Sequence, residues 1–356
     1  MKNDKTIGVV LFQLGGPDSV EAIEPFLYNL FSDPDIIDFP FAKIARKPLA
    51  KLISSNRARK VQSHYAEIGG KSPILEYTTA QACALEGELN KTLEAKVFVA
   101  MRYWHPMTEE TVQAVETEAP DELVLLPLYP QYSKTTTGSS LNEWNRRIAF
   151  SKVKNIPAKV VKQFYAHPTY LDAVVEKIDS SLEKFPKGER VHLVFSAHSV
   201  PVSVIAGGDP YQEQIEATVE SVLRRGHWSH PHTLCYQSKV GASKWLQPSL
   251  HETLHHLGTE KTQSVLVVPI AFVSDHVETL NEINVEARKE AELLGISHFE
   301  MTPGLNDSPK FIQALAELVL EAVGIVSVAP ASEVPKSTDR PRRHAPDEIF
   351  PLSKGR

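Results

Sequence analysis

The chain has 356 residues, 42% of them hydrophobic and 23% charged, and its two cysteines, Cys83 and Cys235, exclude a disulfide framework or an all-cysteine metal site. Lys and Arg number 38 and Asp and Glu 44, and the resulting net charge of −6 argues against a dedicated nucleic-acid binder. The opening MKNDKTIGVVLFQL is too short and too charged for a signal peptide, and the charge-free stretch 191–208 carries His192, His198 and Pro201, so neither is a membrane segment and a cytoplasmic setting is expected.

Taken in chain order, the apolar runs Ile7–Leu14, Lys96–Met101, Glu122–Leu128 and Ala158–Phe164 form a first set of predicted strands. Val191–Ala197, Thr233–Gln237, Val265–Phe272 and Ser297–Met301 form a second. The best of them are continuously apolar, as parallel strands covered on both faces should be. Helical patterns lie between them, so the class is α/β. The spacing predicts two similar α/β halves, 1–168 and 169–326, the first carrying an inserted segment over about 15–95. Residues 327–356, with five prolines and little apolar content, read as a disordered tail. Helix starts are expected at Asp18 with Glu21 and at Ser140 with Glu143, both capping-box spacings, and at Asp209-Pro210.

Ligands of open parallel sheets bind beyond the carboxyl ends of the strands. The polar groups there are Gly15-Gly16-Pro17, Arg102-Tyr103, Tyr129 to Tyr132, His198, Gln237-Ser238 and the run Asp275-His276-Val277-Glu278. His198 suits a general base or a metal ligand, or else a ring bonding a neighbouring loop. From Glu278 onward Glu282, Glu286 and Glu290 follow at four-residue intervals, on one slowly drifting helix face. That stripe is either a solvated acidic face or a conduit for cations or protons, with Lys289 placed to compensate Glu286. Its start at a strand end favours the conduit.

Other groups carry weaker signals. No G-x-G-x-x-G or Walker motif occurs. The hydroxyl-rich Thr135–Ser140 is a capped loop or an anion cradle. His227, His230 and His232 sit in a connection, and His251 and His255 share a helix face; both groups read more readily as surface histidines than as built metal sites. Between Phe39 and Ala66 there are seven Lys or Arg and no acid, with apolar residues at helical spacing and Pro48 expected to break the run into two helices. Such a segment is a membrane-surface contact or a solvated helix on the core.

The stretches LGGPDSVEAIEPFLYNLFSDPDII (14–37), IGGKSPI (68–74), MRYWHPMTEE (101–110) and LPLYPQYSKTTTGSSLNE (126–143) are collinear with FSAHSVP (195–201), GDPY (208–211), YQSKVGASKWLQPS (236–249) and VPIAFVSDHVETLNEINVE (268–286). Together they resemble the ferrochelatases, which insert ferrous iron into a porphyrin. The resemblance implies two Rossmann-like halves, each with a four-stranded parallel sheet, around a porphyrin cleft. It implies His198 and Glu278 as catalytic and metal-binding residues, and the mechanism expected from them has the two facing each other across the ring centre. It makes Asp275, His276, Glu282 and Glu286 a proton or metal relay, and sets Leu14, Tyr65, Arg102, Tyr103 and Trp245 against the porphyrin. Some relatives hold an iron–sulfur cluster through a cysteine in the QYS-x-x-TTGSS loop and three near the C-terminus. Here Lys134 stands in that loop and no cysteine follows Cys235, so no cluster is expected and Fe2+ would be substrate. The 14–37 stretch is closer to users of protoporphyrin IX than of coproporphyrin III. A coproporphyrin III ferrochelatase is the alternative, a cobalt or nickel chelatase acting on another tetrapyrrole and a non-enzymatic binder with two α/β halves around a cleft are the rival readings, and the basic 39–66 segment would be the pocket lip and a peripheral membrane contact.

Overall fold

The computed structural model describes residues 5–36, 42–239 and 243–326, so the expected tail and the first residues of the basic segment lie outside the described residues. The first half runs β1 (Thr6–Gln13), α1 (Ile23–Phe31), α2 (Ala42–Glu67), α3 (Ile74–Leu89), β2 (Glu94–Met101), α4 (Thr108–Glu118), β3 (Glu122–Pro127), α5 (Ser139–Ile148) and β4 (Ala158–Val160). There follow α6 (Pro168–Leu182), β5 (His192–His198), α7 (Val202–Ala206), α8 (Tyr211–Gly226), β6 (His232–Gln237), α9 (Leu250–Thr259) and β7 (Ser264–Pro269). A π-helical segment, Glu278–Ala287, runs directly into α10 (Arg288–Leu293), and β8 (His298–Met301) and α11 (Pro309–Ala322) end the fold.

All eight predicted strands form, in two four-stranded sheets with the orders β2-β1-β3-β4 and β6-β5-β7-β8, every pairing parallel. The same order twice is the expected pair of halves. Continuous burial explains the continuous apolar runs: Val9, Val10 and Leu11 in β1 and Leu193, Val194 and Phe195 in β5 are inaccessible.

Two strands are shorter than their apolar runs. β4 is an exposed edge ending at Val160, because the chain then leaves the sheet to bury Phe164 edge-on against Tyr170 at 5.3 Å. β7 ends at Pro269, after which Phe272 turns to lie between the rings of His198 and His276. Helix starts also differ. Asp209 accepts from the Tyr211 amide at 3.1 Å as expected. The Asp18 box does not form: α1 starts at Ile23, and Ser19 Oγ accepts from the Ala22 amide at 3.2 Å instead. Ser140 lies inside α5, which grows out of a π-turn, Lys134–Gly138, capped by Ser133. Glu143 turns to Arg146 and Arg147 rather than back to a cap. Pro48 does not split α2, which continues through it to Glu67.

The inserted segment is narrower than expected. α3 packs on β2 and is the crossover that returns the chain to the sheet, so only α1 and α2 stand out as a lip. α6 packs on α8 and β7 of the second half, and α11 lies on α6 and reaches across to α3 and β3 of the first. The expected 168/169 boundary therefore separates the sheets, while α11 touches both halves. One apolar core runs through both halves, including Leu85, Val124, Ile178, Phe195, Ile215 and Leu315. Buried amides tie the halves further: Gln81 Nε2 donates to Ser274 Oγ at 3.0 Å, and Gln131 Nε2 to Thr218 Oγ1 at 3.1 Å. No described helix is long and apolar enough to cross a membrane.

Candidate active site

β5 ends in His198, and the chain after β7 starts its π-helical segment at Glu278, so neighbouring parallel strands deliver these two side chains to one point. His198 Nδ1 lies 2.9 Å from Glu278 Oε2. The two groups therefore touch and do not face each other across an intervening ring, as had been expected. About a third of the His198 side chain (37%) is open to the cleft, against 20% for Glu278. With Nδ1 engaged, Nε2 is the ring nitrogen left for chemistry.

The electrostatics follow from that contact. Burial alone would lower His198, but the Glu278 carboxylate outweighs it and holds the imidazole above its usual range. Glu278 is pushed up by burial and pulled down further by His198 and His276, so it is held well below the usual carboxylate range. Glu282, one turn on, is raised to about 7 by burial and by the Glu278 charge. The two glutamates interact strongly and titrate as a pair. Glu282 takes the first proton.

Ser238 joins them. At the end of β6, with φ of 65°, it donates its hydroxyl to Glu282 and lies 3.4 Å from Glu278. Left-handed backbone at a non-glycine residue is strain that the surroundings must hold, a common feature of functional sites. Gln237 assists, accepting from Ser196 Oγ at 2.6 Å and reaching the Glu278 carbonyl at 3.4 Å. Gln237 ends the predicted sixth strand and Ser238 follows it, but neither residue type ranks above its neighbours.

The remaining relay residues separate into two groups. Glu286 continues the line and pairs with His64 of α2 at 3.3 Å; Lys289 goes to Glu67 at 3.5 Å and does not compensate it. Asp275 is off the line. Its carboxylate accepts from Thr279 Oγ1, the Gly304 amide and Asn306 Nδ2 at 2.9–3.1 Å, which anchors the start of the π-helical segment. His276 is buried, with Nδ1 3.1 Å from the Ser274 carbonyl and Nε2 3.9 Å from Glu278.

The opposite wall departs from expectation. Tyr103 is 1% exposed and Arg102 9%, so neither presents a surface to a ligand. Both are spent on Asp33, at the end of α1: Arg102 Nη2 to Oδ1 at 2.9 Å and Tyr103 Oη to Oδ2 at 2.6 Å. Ser139 shares the network, accepting from Arg102 Nε at 2.9 Å. Asp33 was not foreseen. Leu14 and Tyr65 do converge, in an apolar cluster with Phe26, Phe31 and Val277 that joins the lip to the residue before Glu278. The phenol of Tyr65 is pushed up by burial and by the Glu278 and Glu282 charges. Trp245 bridges Pro201 across the loop after β5 and is half-buried, its indole N–H without a partner.

Just ahead of the hydroxyl-rich stretch 135–140, Asp209 accepts from Ser133 Oγ at 3.0 Å and the Lys134 amide at 2.8 Å. His227, His230 and His232 gather with no other metal-ligating groups among the described residues, whereas His251 and His255 gather with Glu290.

A family model described as ferrochelatase matches residues 6–323. Proteins named ferrochelatase from Aquifex aeolicus and Geotalea daltonii are 48% and 47% identical over 316 and 322 residues, covering 89% and 90% of this chain and 99% of theirs. One from Synechocystis sp. is 46% identical over 89% of this chain and 82% of its own. In fold, the chain is similar to the solved structure of SirB from Bacillus subtilis with Fe3+, at a TM-score of 0.51 and 12% identity over 90% of this chain and 96% of that one.

Proposed function

The chain belongs to the ferrochelatase family, and we propose that it catalyses the insertion of Fe2+ into protoporphyrin IX in haem biosynthesis, with release of two protons. The observation that carries the mechanism is the His198–Glu278 pair at 2.9 Å, with Nε2 left toward the cleft. Metallation must remove two pyrrole protons while the cation enters. His198, neutral at Nε2 and hydrogen-bonded at Nδ1, accepts a pyrrole proton, and the imidazolium so formed is stabilised by Glu278. Glu278 stays ionised and holds the imidazolium, and Glu282, raised to about 7 and bonded by Ser238, is the carboxylate able to take the proton onward. Imidazole and carboxylate also suit ferrous iron as ligands. Distorting the macrocycle to expose its nitrogens costs about 1–5 kcal/mol, drawn from binding along the apolar lip.

Protoporphyrin is favoured over coproporphyrin III by Arg102, which Asp33 already holds and which is not left for an added propionate. Anaerobic mixing with Fe2+ and either porphyrin tests this. Haem formation from protoporphyrin is expected, and turnover of coproporphyrin III alone would overturn the substrate choice. An iron–sulfur cluster does not fit the thiols present, since Cys235 is buried on β6 and Cys83 lies on α3.

Two further expectations concern the relay and the lip. A carboxyl raised to about 7 in the fold favours folding below its usual pKa of 4.5, and that contribution is lost as pH rises through about 7. Over the same range Glu282 changes from proton-bearing to proton-accepting. The pH–rate profile should therefore show an ionisation near 7 that Glu282→Gln removes. An unchanged profile in that variant would take Glu282 out of the relay. On α2, Leu49 and Leu52 are exposed, at 37% and 62%, among Lys47 and Lys51. Co-sedimentation with anionic vesicles is expected at low salt and lost near 1 M, where the screening length falls to about 3 Å. Salt-insensitive binding, or none, would count against a basic membrane contact.

A further inference from the structure

At the far end of the glutamate stripe, we infer that His251, His255 and Glu290 form a surface site for a divalent transition-metal cation, the outermost station of the route to His198. His251 and His255 are four apart on α9 and stack with ring centroids 4.5 Å apart. Glu290 rises between them from α10, its Oε1 meeting His251 Nδ1 and lying 3.2 Å from His255 Nε2. The three donor atoms all lie within 4.8 Å of one another. Small shifts would bring two imidazole nitrogens and a carboxylate oxygen to bonding distances of about 2.0–2.2 Å. Two histidines at i and i+4 on one helix face are an effective metal-binding spacing.

The set is open to solvent, the histidines being 66% and 52% exposed and the glutamate 27%. A cation there keeps water on its remaining positions and can be both loaded and released. Two neutral imidazoles and a carboxylate suit Fe2+, Co2+ or Zn2+ and not Mg2+ or Ca2+, which prefer oxygen.

Position gives the site its role. Glu290 is the last of four glutamates at four-residue intervals, after Glu278, Glu282 and Glu286. An imidazole stands beside three of the four: His198 at Glu278, His64 at Glu286, and His251 with His255 at Glu290. The outer end thus repeats the ligand chemistry of the inner end. This role rests on the reading of His198 and Glu278 as the place of metal insertion; cation binding at the surface does not.

The test uses Co2+ alone as probe, titrated by calorimetry and visible absorption into the full chain. Wild type is expected to bind Co2+ with a histidine signature that His198→Ala retains and that the double variant His251→Ala/His255→Ala loses. His256→Ala, whose side chain pairs with Glu260, is the control and should bind as wild type does. Undiminished Co2+ binding in the double variant would overturn the site. In turnover, the double variant should raise KM for Fe2+ several-fold with kcat little changed. Loss of Co2+ binding with an unchanged KM would overturn the delivery role and leave the site standing. The binding arm remains decisive even if iron insertion itself were absent.

Discussion

His198→Ala is expected to lower iron insertion by about 10²–10⁴-fold, the range for a positioned acid–base group, while porphyrin binding survives. The ring lies on the Glu278 carboxylate and keeps about a third of its surface open (37%). Its removal takes away the base at Nε2 and the partner that stabilises the buried Glu278 charge. Water can fill the gap but lacks the basicity that Glu278 confers on the imidazole. Glu278→Gln separates the two contributions. The ring is then present but no longer held above its usual range, so the limb of the pH–rate profile that reports it should move to lower pH. Porphyrin fluorescence quenching reads binding, and stopped-flow absorption reads metallation. Near-full activity in His198→Ala would remove the residue from the mechanism whatever became of the pH profile.

What the sequence conveyed and what it withheld divide along a physical line. The strands were legible because parallel strands buried on both faces leave uninterrupted apolar runs, as in IGVVLF and VHLVF. His198 stood out because it follows such a run directly, and Glu278 because it stands a few residues beyond another, after Asp275 and His276. The run after β3 overstated β4, since Val161 and Phe164 are apolar for the interhelical core and not for the sheet. Side-chain pairs remote in sequence had no local sign. Asp33 meets Tyr103 across 70 residues and Ser139 across 106, and the reach of α11 across to the first half had none either, because a helix pattern does not name the elements it covers. Ser238 carried a signal only in hindsight, through a backbone angle that its residue type does not announce.

Asp33→Ala is expected to cost about 3–5 kcal/mol, the range for removing one partner of a buried ion pair. The side chain of Asp33 is inaccessible and that of Arg102 is 10% exposed, so the guanidinium would stay buried with only Ser139 and the more distant Glu143 at 4.0 Å. Tyr103 would lose its acceptor as well. Burial would raise the Asp33 carboxyl, but Ser139, Tyr103 and Arg102 together bring it below its usual value. Its stabilisation is therefore present above the usual carboxylate pKa and is lost as pH falls through the lowered one. Asp33→Asn keeps the shape and an acceptor for Tyr103 but not the charge, and should fall between. Replacing Asp33 and Arg102 together by apolar residues should recover part of the loss, because no unpaired charge is then left behind. Urea unfolding measures all of these, and a cost below about 1 kcal/mol for Asp33→Ala would show that solvent reaches the site. Asp33 ends the lip helix that packs against Tyr65. The same variant should therefore raise KM for porphyrin more than it lowers kcat, whereas His198→Ala does the reverse.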